Sequence, residues 1–292
     1  MPTRLEIRNA IFSMKGLKAP GPDGIQPLFY QRFWDTVQNS VCLFVQNCFI
    51  KGEFPAHLNK SLITLIPKIE NPETINQFRP ITLCNVIYKI VTKVIDQRIR
   101  PVLDRIIGPF QSSFMPVRQT SDNIITTQEI IHSLMKRKSQ KKGLIIKIDL
   151  EKAYDRISWR FLKKVLENFN FSRNSVNLIM SCVAKGETSI LWNGEKTDPF
   201  FPSRGLRQGD PLSPYLFVLC LEYLSNLINT KVESKDWIGI KASKNGPVFS
   251  HLFFADDLIF FAEANENCCR TIMDVLNDFC MVSGQKVNFH KS

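Results

Sequence analysis

His251-Leu-Phe-Phe-Ala-Asp-Asp-Leu-Ile-Phe-Phe-Ala-Glu263 sets two adjacent carboxylates between apolar runs rich in Phe, Leu and Ile. Such runs favour strands, and the short polar break between them predicts a tight hairpin. The hairpin lifts Asp256 and Asp257 out of an otherwise buried ribbon. Carboxylates side by side repel, which raises one pKa unless a cation intervenes. A hard divalent ion bound by oxygen ligands relieves that repulsion. The same two residues also suit a solvated turn, where Asp is common. Read alone, the stretch leaves both readings open, and the rest of the chain has to decide between them.

A partner lies upstream. Gly143-Leu-Ile-Ile-Lys-Ile-Asp149 is almost continuously apolar, which predicts a strand buried on both faces that delivers Asp149 to its C-terminal end. Tyr154 and Asp155 follow in a turn or short helix, and Asp149 reads either as a cap or as a ligand. Ser61–Lys68 alternates, and Phe78–Cys84 is again extended. Two strands joined by a loop set Lys68 and Arg79 near its ends. These cations suit phosphate, which Arg grips in a bidentate way and Lys as a point charge, although surface charges flanking a hairpin would look the same. Gly205-Leu-Arg-Gln-Gly-Asp-Pro-Leu-Ser-Pro214 opens a long apolar helix over Tyr215–Thr230. With Arg207 and Gln208 beside it, such a helix start can approach a nucleotide closely. Its spacing is neither the Rossmann nor the Walker one, and standing alone it is a cap.

Helical spacing of apolar residues predicts further helices over 3–14, 27–50, 86–100, 121–138, 158–169, 172–185 and 266–282. Pro101 should end or kink the third of these. Thr188-Ser-Ile-Leu-Trp-Asn-Gly-Glu195 reads as a strand entering an Asn-Gly hairpin. Lys15–Gly24 is a Gly/Pro-rich loop with two lysines. The basic run Lys136–Lys142 is a solvated linker or a track for a phosphate backbone.

Composition narrows the class. At 292 residues, with 44% hydrophobic and 22% charged residues, the chain is globular and long enough for two subdomains. Lys and Arg number 38 against 27 Asp and Glu, a net charge of +11 that suits a polyanionic partner. The apolar run Tyr215–Leu221 is too short to span a bilayer, and the N-terminus has no apolar signal core. The eight cysteines form neither a Cys-x-x-Cys pair nor a zinc spacing. Most, such as Cys42, Cys84 and Cys220, read as small core hydrophobes of a reduced, intracellular protein.

Order carries more than any single motif. A cationic hairpin precedes a strand ending in Asp, then a Gly-rich loop and helix, then a hairpin bearing Asp-Asp. Three carboxylates on two neighbouring strand ends suit two divalent ions about 3.5–4 Å apart, the arrangement used for in-line displacement at phosphorus.

Lys18-Ala-Pro-Gly-Pro-Asp-Gly24, Phe78-Arg-Pro-Ile-Thr-Leu-Cys-Asn85, Ile148-Asp-Leu-Glu-Lys-Ala-Tyr-Asp-Arg156, Leu206–Pro214 and Phe254-Ala-Asp-Asp257 come in the order of the blocks of a known family. The chain resembles the reverse transcriptase domain of a plant-type non-LTR (LINE-type) retrotransposon, over nearly its whole length. The resemblance implies a mixed α/β (α+β) right-hand polymerase fold. Residues 1–142 would be a fingers-like region with a palm-entry segment and 143–292 the palm, with no thumb before the chain stops. It implies RNA-directed DNA polymerase activity, with Asp149, Asp256 and Asp257 as the metal-binding catalytic triad for two Mg2+ ions, Mn2+ being a possible substitute. Lys68 and Arg79 would hold the incoming triphosphate, Tyr154 would pack under its sugar, and Gln208 would contact the nucleotide. Lys286 or Lys291 would assist the leaving pyrophosphate, whereas Glu151, Asp155 and Asp210 would be structural. Expected partners are an RNA template, a DNA primer and dNTP, with no membrane, in the nucleus or cytoplasm; the oligomeric state stays open. A non-catalytic nucleic-acid-binding remnant and a maturase-like splicing factor share the same palm.

Overall fold

The structure is a computed structural model that describes residues 1–115, 117–136, 142–243 and 246–292. Most of the basic run 136–142 therefore lies outside the described residues. The helices are α1 (Arg4–Phe12), α2 (Pro27–Arg32), α3 (Trp34–Lys51), α4 (Val86–Ile106), α5 (Thr120–Lys136), α6 (Ala153–Arg156), α7 (Trp159–Asn168), α8 (Arg173–Ala184), α9 (Ser213–Glu233) and α10 (Glu266–Ser283). The strands are β1 (Lys60–Pro67), β2 (Phe78–Cys84), β3 (Gly143–Asp149), β4 (Glu187–Trp192), β5 (Glu195–Lys196), β6 (Ile240–Lys241), β7 (Val248–Phe249), β8 (His251–Phe254) and β9 (Asp257–Glu263). Fold class is mixed, as expected. None of these helices is long and apolar enough to cross a membrane.

Two compact units share the chain, Met1–Ile99 with Leu166–Ser213, and Arg100–Val165 with Pro214–Ser292. The chain passes between them inside α4, α7 and α9. A boundary hidden inside a helix leaves no Gly/Pro-rich signal in sequence.

In the first unit a four-stranded sheet has the order β2-β1-β4-β5. β1 pairs antiparallel with β2 from Ser61↔Cys84 to Pro67↔Phe78, and parallel with β4 from Lys60↔Glu187. The Asn193-Gly194 turn joins β4 to β5 with both residues at positive φ, +50° and +86°, the twist a two-residue hairpin needs. The helix expected over 27–50 breaks at Phe33 (φ −103°, ψ 25°). The break gives each half its own buried face, and Trp34 packs edge-on against Phe12 with ring centroids 6.4 Å apart.

Buried polar atoms stitch this unit's motif blocks together. Asn85 donates to the carbonyl of Leu58 and accepts from the Asp23 N–H, fastening the Lys18–Gly24 loop. A Cβ on Gly21 would collide with the Asn85 backbone. Tyr88, on α4, donates to the Asp210 carboxylate at 3.0 Å, while Arg207 lies 4.9 Å over the Tyr88 ring and donates to Asn59 at 2.6 Å. Asn59, fully buried, donates in turn to the carbonyls of Ser181 and Cys182 at the end of α8. Burial raises the Asp210 carboxyl and, together with the Asp210 charge, raises the Tyr88 phenol. The loop so anchored adds Gln208 to the free edge of β2, where its carbonyl accepts from the Thr82 N–H at 2.7 Å. Gly209 has φ +112°, and a Cβ there would stand 2.9 Å from the Thr82 carbonyl oxygen.

The second unit is built on an antiparallel sheet of order β3-β9-β8. Phe253, Phe260, Phe261, Trp237 and Phe279 are fully buried about it, each worth roughly 1.5–3 kcal/mol on transfer from water. The Trp237 indole N–H donates to the Phe261 carbonyl, so its polar end is satisfied. β3 is an edge strand with only Ile148 fully buried, which corrects the expectation of burial on both faces. Its apolar residues are half-covered, and Lys147 faces solvent. Pro101 likewise sits inside α4, which runs on to Ile106 instead of ending there. All eight cysteines are free thiols, six of them buried, as their apolar neighbours suggest.

His251 and Glu222 are among the buried titratable groups of this unit. His251 lies between the rings of Phe110 and Phe253, with Ser225 and Ser250 hydroxyls on its two nitrogens at 2.8 and 2.9 Å. Burial lowers its pKa to about 3, so it is neutral at physiological pH. Glu222, on α9, is buried beside Gly108, and burial raises its pKa to about 7.

Two outcomes follow for stability. Glu222 has a folded pKa above its ordinary value of 4.5, so its contribution is fully present below 4.5 and is lost as pH rises through 7. Glu222→Gln should therefore gain on the wild type as pH rises from 4.5 to 8, by on the order of 1–3 kcal/mol; urea unfolding across that range measures it. Gly209→Ala should lose about 1–3 kcal/mol, read as a lower urea midpoint with an unchanged slope.

Candidate active site

Pairing of Phe254 with Asp257 leaves Ala255 and Asp256 as the two turn residues of the β8–β9 hairpin. Ala255 takes φ +53°, a left-handed conformation costing about 1–2 kcal/mol for a residue with a Cβ. The turn is tight because both flanking strands are apolar and pair up to its edge. It leaves Asp256 and Asp257 exposed. β8 is braced from its other side: Phe253 donates to the Phe110 carbonyl at 2.7 Å and accepts from Ser112 N–H and the Asn123 amide, both at 3.1 Å.

β3 and β9 run antiparallel in a register that sets Asp149 opposite Asp257. The C-terminal end of β3 thus coincides with the turn, and Asp149, Asp256 and Asp257 lie together at one end of the sheet. Asp149 is half-buried. Strand alternation places Lys147 on the face of Asp149, and its ammonium lies 3.0 Å from the Asp257 carboxylate. The bond to Asp257 raises the Lys147 pKa, with Asp149 and Asp256 adding to it. Lys147 was not among the residues expected here. Its signal was its place two residues before an Asp on a strand.

Among the described residues, no three carboxylate, imidazole or thiolate groups are already gathered around a metal position. The donors at the turn are nonetheless all carboxylate oxygens on adjoining strand ends, and they already attract a cation. That chemistry fits a hard divalent ion.

Tyr154, on α6, is half-buried and stacks on Phe217 with centroids 4.7 Å apart and planes 15° from parallel. Burial, with the Asp256 charge, raises its phenol pKa. The following chain returns to the same sheet end. Leu150 bridges Val287 in antiparallel fashion, Glu151 N–H donates to the Lys286 carbonyl, and Asn288 N–H donates to the Asp149 carbonyl. Lys286 forms an ion pair with Glu151 at 3.1 Å, whereas the Lys291 side chain is exposed. The alternation of Val287 and Phe289 is the signal that could have foretold this short pairing.

Lys68, Arg79 and Gln208 belong to the first unit. Arg79 pairs with Ile66 across the β1–β2 hairpin and Lys68 follows the last residue of β1, so both stand at its loop end. Both are exposed, and the Lys68 ammonium donates to the Asn76 carbonyl at 3.0 Å. Gln208 is half-buried and meets β2 at Thr82, three residues along from Arg79.

A family model described as "Reverse transcriptase (RNA-dependent DNA polymerase)" matches residues 66–292. The chain is 30% identical over 287 residues to the "Transposon TX1 uncharacterized 149 kDa protein" of Xenopus laevis, covering 98% of this chain and 21% of that protein. It is 27% identical over 275 residues to the "Retrovirus-related Pol polyprotein from type-2 retrotransposable element R2DM" of Drosophila melanogaster, covering 94% and 24%. A stretch of 68 residues is 55% identical to the "Uncharacterized mitochondrial protein AtMg01250" of Arabidopsis thaliana, covering 23% and 56%. Among solved structures, the telomerase of Candida tropicalis matches with a TM-score of 0.55 at 15% identity, over 91% of this chain and 44% of that one. The chain thus spans about a quarter or less of the two long retroelement proteins. With the family model covering most of its length, the chain belongs to the reverse transcriptase (RNA-dependent DNA polymerase) family.

Proposed function

We propose that the chain is the fingers and palm of a retrotransposon RNA-directed DNA polymerase that transfers a nucleotidyl group from dNTP to a primer 3′-hydroxyl on an RNA template. The observation that carries this reading is the register Asp149↔Asp257 beside a turn that exposes Asp256. The unit bearing β3, β9 and β8 is the palm, and the other unit supplies most of the fingers.

Asp149 and Asp256 are the principal ligands for Mg2+, with Asp257 beside them and Mn2+ able to substitute. Held by these carboxylates, divalent ions would supply activation of the primer oxygen and neutralisation of the leaving pyrophosphate. The protein's own side chains bind and orient. Lys68 and Arg79, both at the loop end of their hairpin, hold the triphosphate. Gln208 contacts the nucleotide, held in place by the Gly209 turn against β2. Tyr154, fixed by its stack on Phe217, lies under the sugar and disfavours a 2′-hydroxyl. Lys286 or Lys291 serves the pyrophosphate side; Lys286 must leave Glu151 to do so. Net positive charge of +11 suits a primer–template duplex. We place the reaction in the nucleus or cytoplasm.

Primer extension on oligonucleotide-primed RNA with dNTP and Mg2+ tests this reading. Asp256→Asn should lose extension by roughly a hundred- to a thousandfold with nucleic-acid binding retained. Undiminished extension by that variant would refute the assignment, and binding without extension by the wild type would identify a non-catalytic remnant. Tyr154→Ala should raise ribonucleotide incorporation relative to deoxyribonucleotide by roughly tenfold or more, measured as a ratio of kcat/KM values; an unchanged ratio would remove Tyr154 from sugar selection.

A further inference from the structure

Lys147 is the residue at the candidate active site for which the proposed reaction has no task. It stands on the edge strand β3, two residues before Asp149 and on the same face, and the register places it diagonally across from Asp257. Its ammonium reaches the Asp257 carboxylate at 3.0 Å, and both side chains are more than half exposed, at 60% and 54%. An ion pair so open to water is weak and exchanges readily. It is nevertheless the cation that the fold sets on Asp257. Among the described residues the carboxylates are not gathered into a ligand set, and Asp257, one of the three, is turned to Lys147.

We propose that Lys147 is a resident counter-ion of the carboxylate turn, which holds Asp257 until divalent ions load and thereby sets the metal concentration that the site requires. The two arrangements are mutually exclusive at the Asp257 oxygen that Lys147 contacts. An ammonium is a strongly hydrated point charge on a flexible stem, so it can swing into water when Asp257 turns to a metal. Lys147 neutralises the carboxylates in the metal-free protein, which relieves their mutual repulsion, and it opposes a second cation through its own charge. Both effects weaken metal binding. Lys147 is on this account a positioning residue, since it acts through Asp257. The inference rests on the reading of Asp149, Asp256 and Asp257 as metal ligands.

The test is equilibrium Mn2+ binding to the whole chain without nucleic acid or dNTP, following free Mn2+ by electron paramagnetic resonance. Lys147→Met should bind Mn2+ roughly three- to tenfold more tightly than the wild type, with the difference shrinking as salt is raised. Lys147→Arg should keep an affinity close to the wild type. Lys147→Gln gives a second neutral side chain at this exposed position, and circular dichroism confirms that each variant is folded. Equal or weaker Mn2+ binding by both neutral variants, with binding still lost in Asp149→Asn, would overturn the role of Lys147 alone. Mn2+ binding that Asp149→Asn leaves intact would overturn the metal-site reading itself, and the proposal with it.

Discussion

Antiparallel pairing of β3 with β9 is the constraint on which the rest depends. Its register sets Asp149 opposite Asp257, and a slip of one residue would turn each side chain on the moved strand to the other face. Such a slip would bury Lys147 and Asp149 and expose Ile148, so the apolar pattern defends the register. The two-residue turn adds a second restraint, because with Phe254 paired to Asp257 only Ala255 and Asp256 are left to close it. Burial of Phe253 and Phe260 on one face of the hairpin, and of Phe261 on the other, makes the strained Ala255 tolerable.

Polar groups hold the motif blocks in place within each unit. In the first, Asn85 fastens the Lys18–Gly24 loop, and Tyr88, Arg207, Asp210 and Asn59 form a chain of contacts that seats Gln208 on β2. In the second, Phe110, Ser112 and Asn123 brace β8 through the Phe253 backbone, and residues 286–288 line up along 149–151. Removing one partner from such a buried network costs more than the mean worth of a hydrogen bond. The blocks that look separate in sequence are therefore neighbours in space, which explains why Asp210 and Arg207, though beside Gln208, are engaged by the protein itself.

Much of this was legible in the sequence because local physics decides it. Alternation marked β1, extended character marked β2, the Asn193-Gly194 pair marked its hairpin, and the Asp256-Asp257 break marked the turn. What was not legible depends on partners far along the chain. β3 reads as doubly buried because its residues are apolar, yet its place at the sheet edge follows from the absence of a second neighbour among the described strands. Pro101 signals an end or a kink, and α4 runs on through it to Ile106. The Lys147–Asp257 pair requires the register across 110 residues of chain, counted as 257 minus 147, which no local window contains. Unit boundaries inside α4, α7 and α9 were hidden for the same reason: a continuous helix has no punctuation where its surroundings change.

What ties fold to chemistry is the claim that one sheet end, built by the β3–β9 register and the β8–β9 turn, is a divalent-metal site. A crystal grown with Mn2+ and measured for anomalous scattering tests it most directly. The account predicts anomalous density against the carboxylates of Asp149 and Asp256, with Asp257 released from Lys147. Manganese elsewhere on the protein, with the Lys147–Asp257 pair intact and no density at that sheet end, would contradict it.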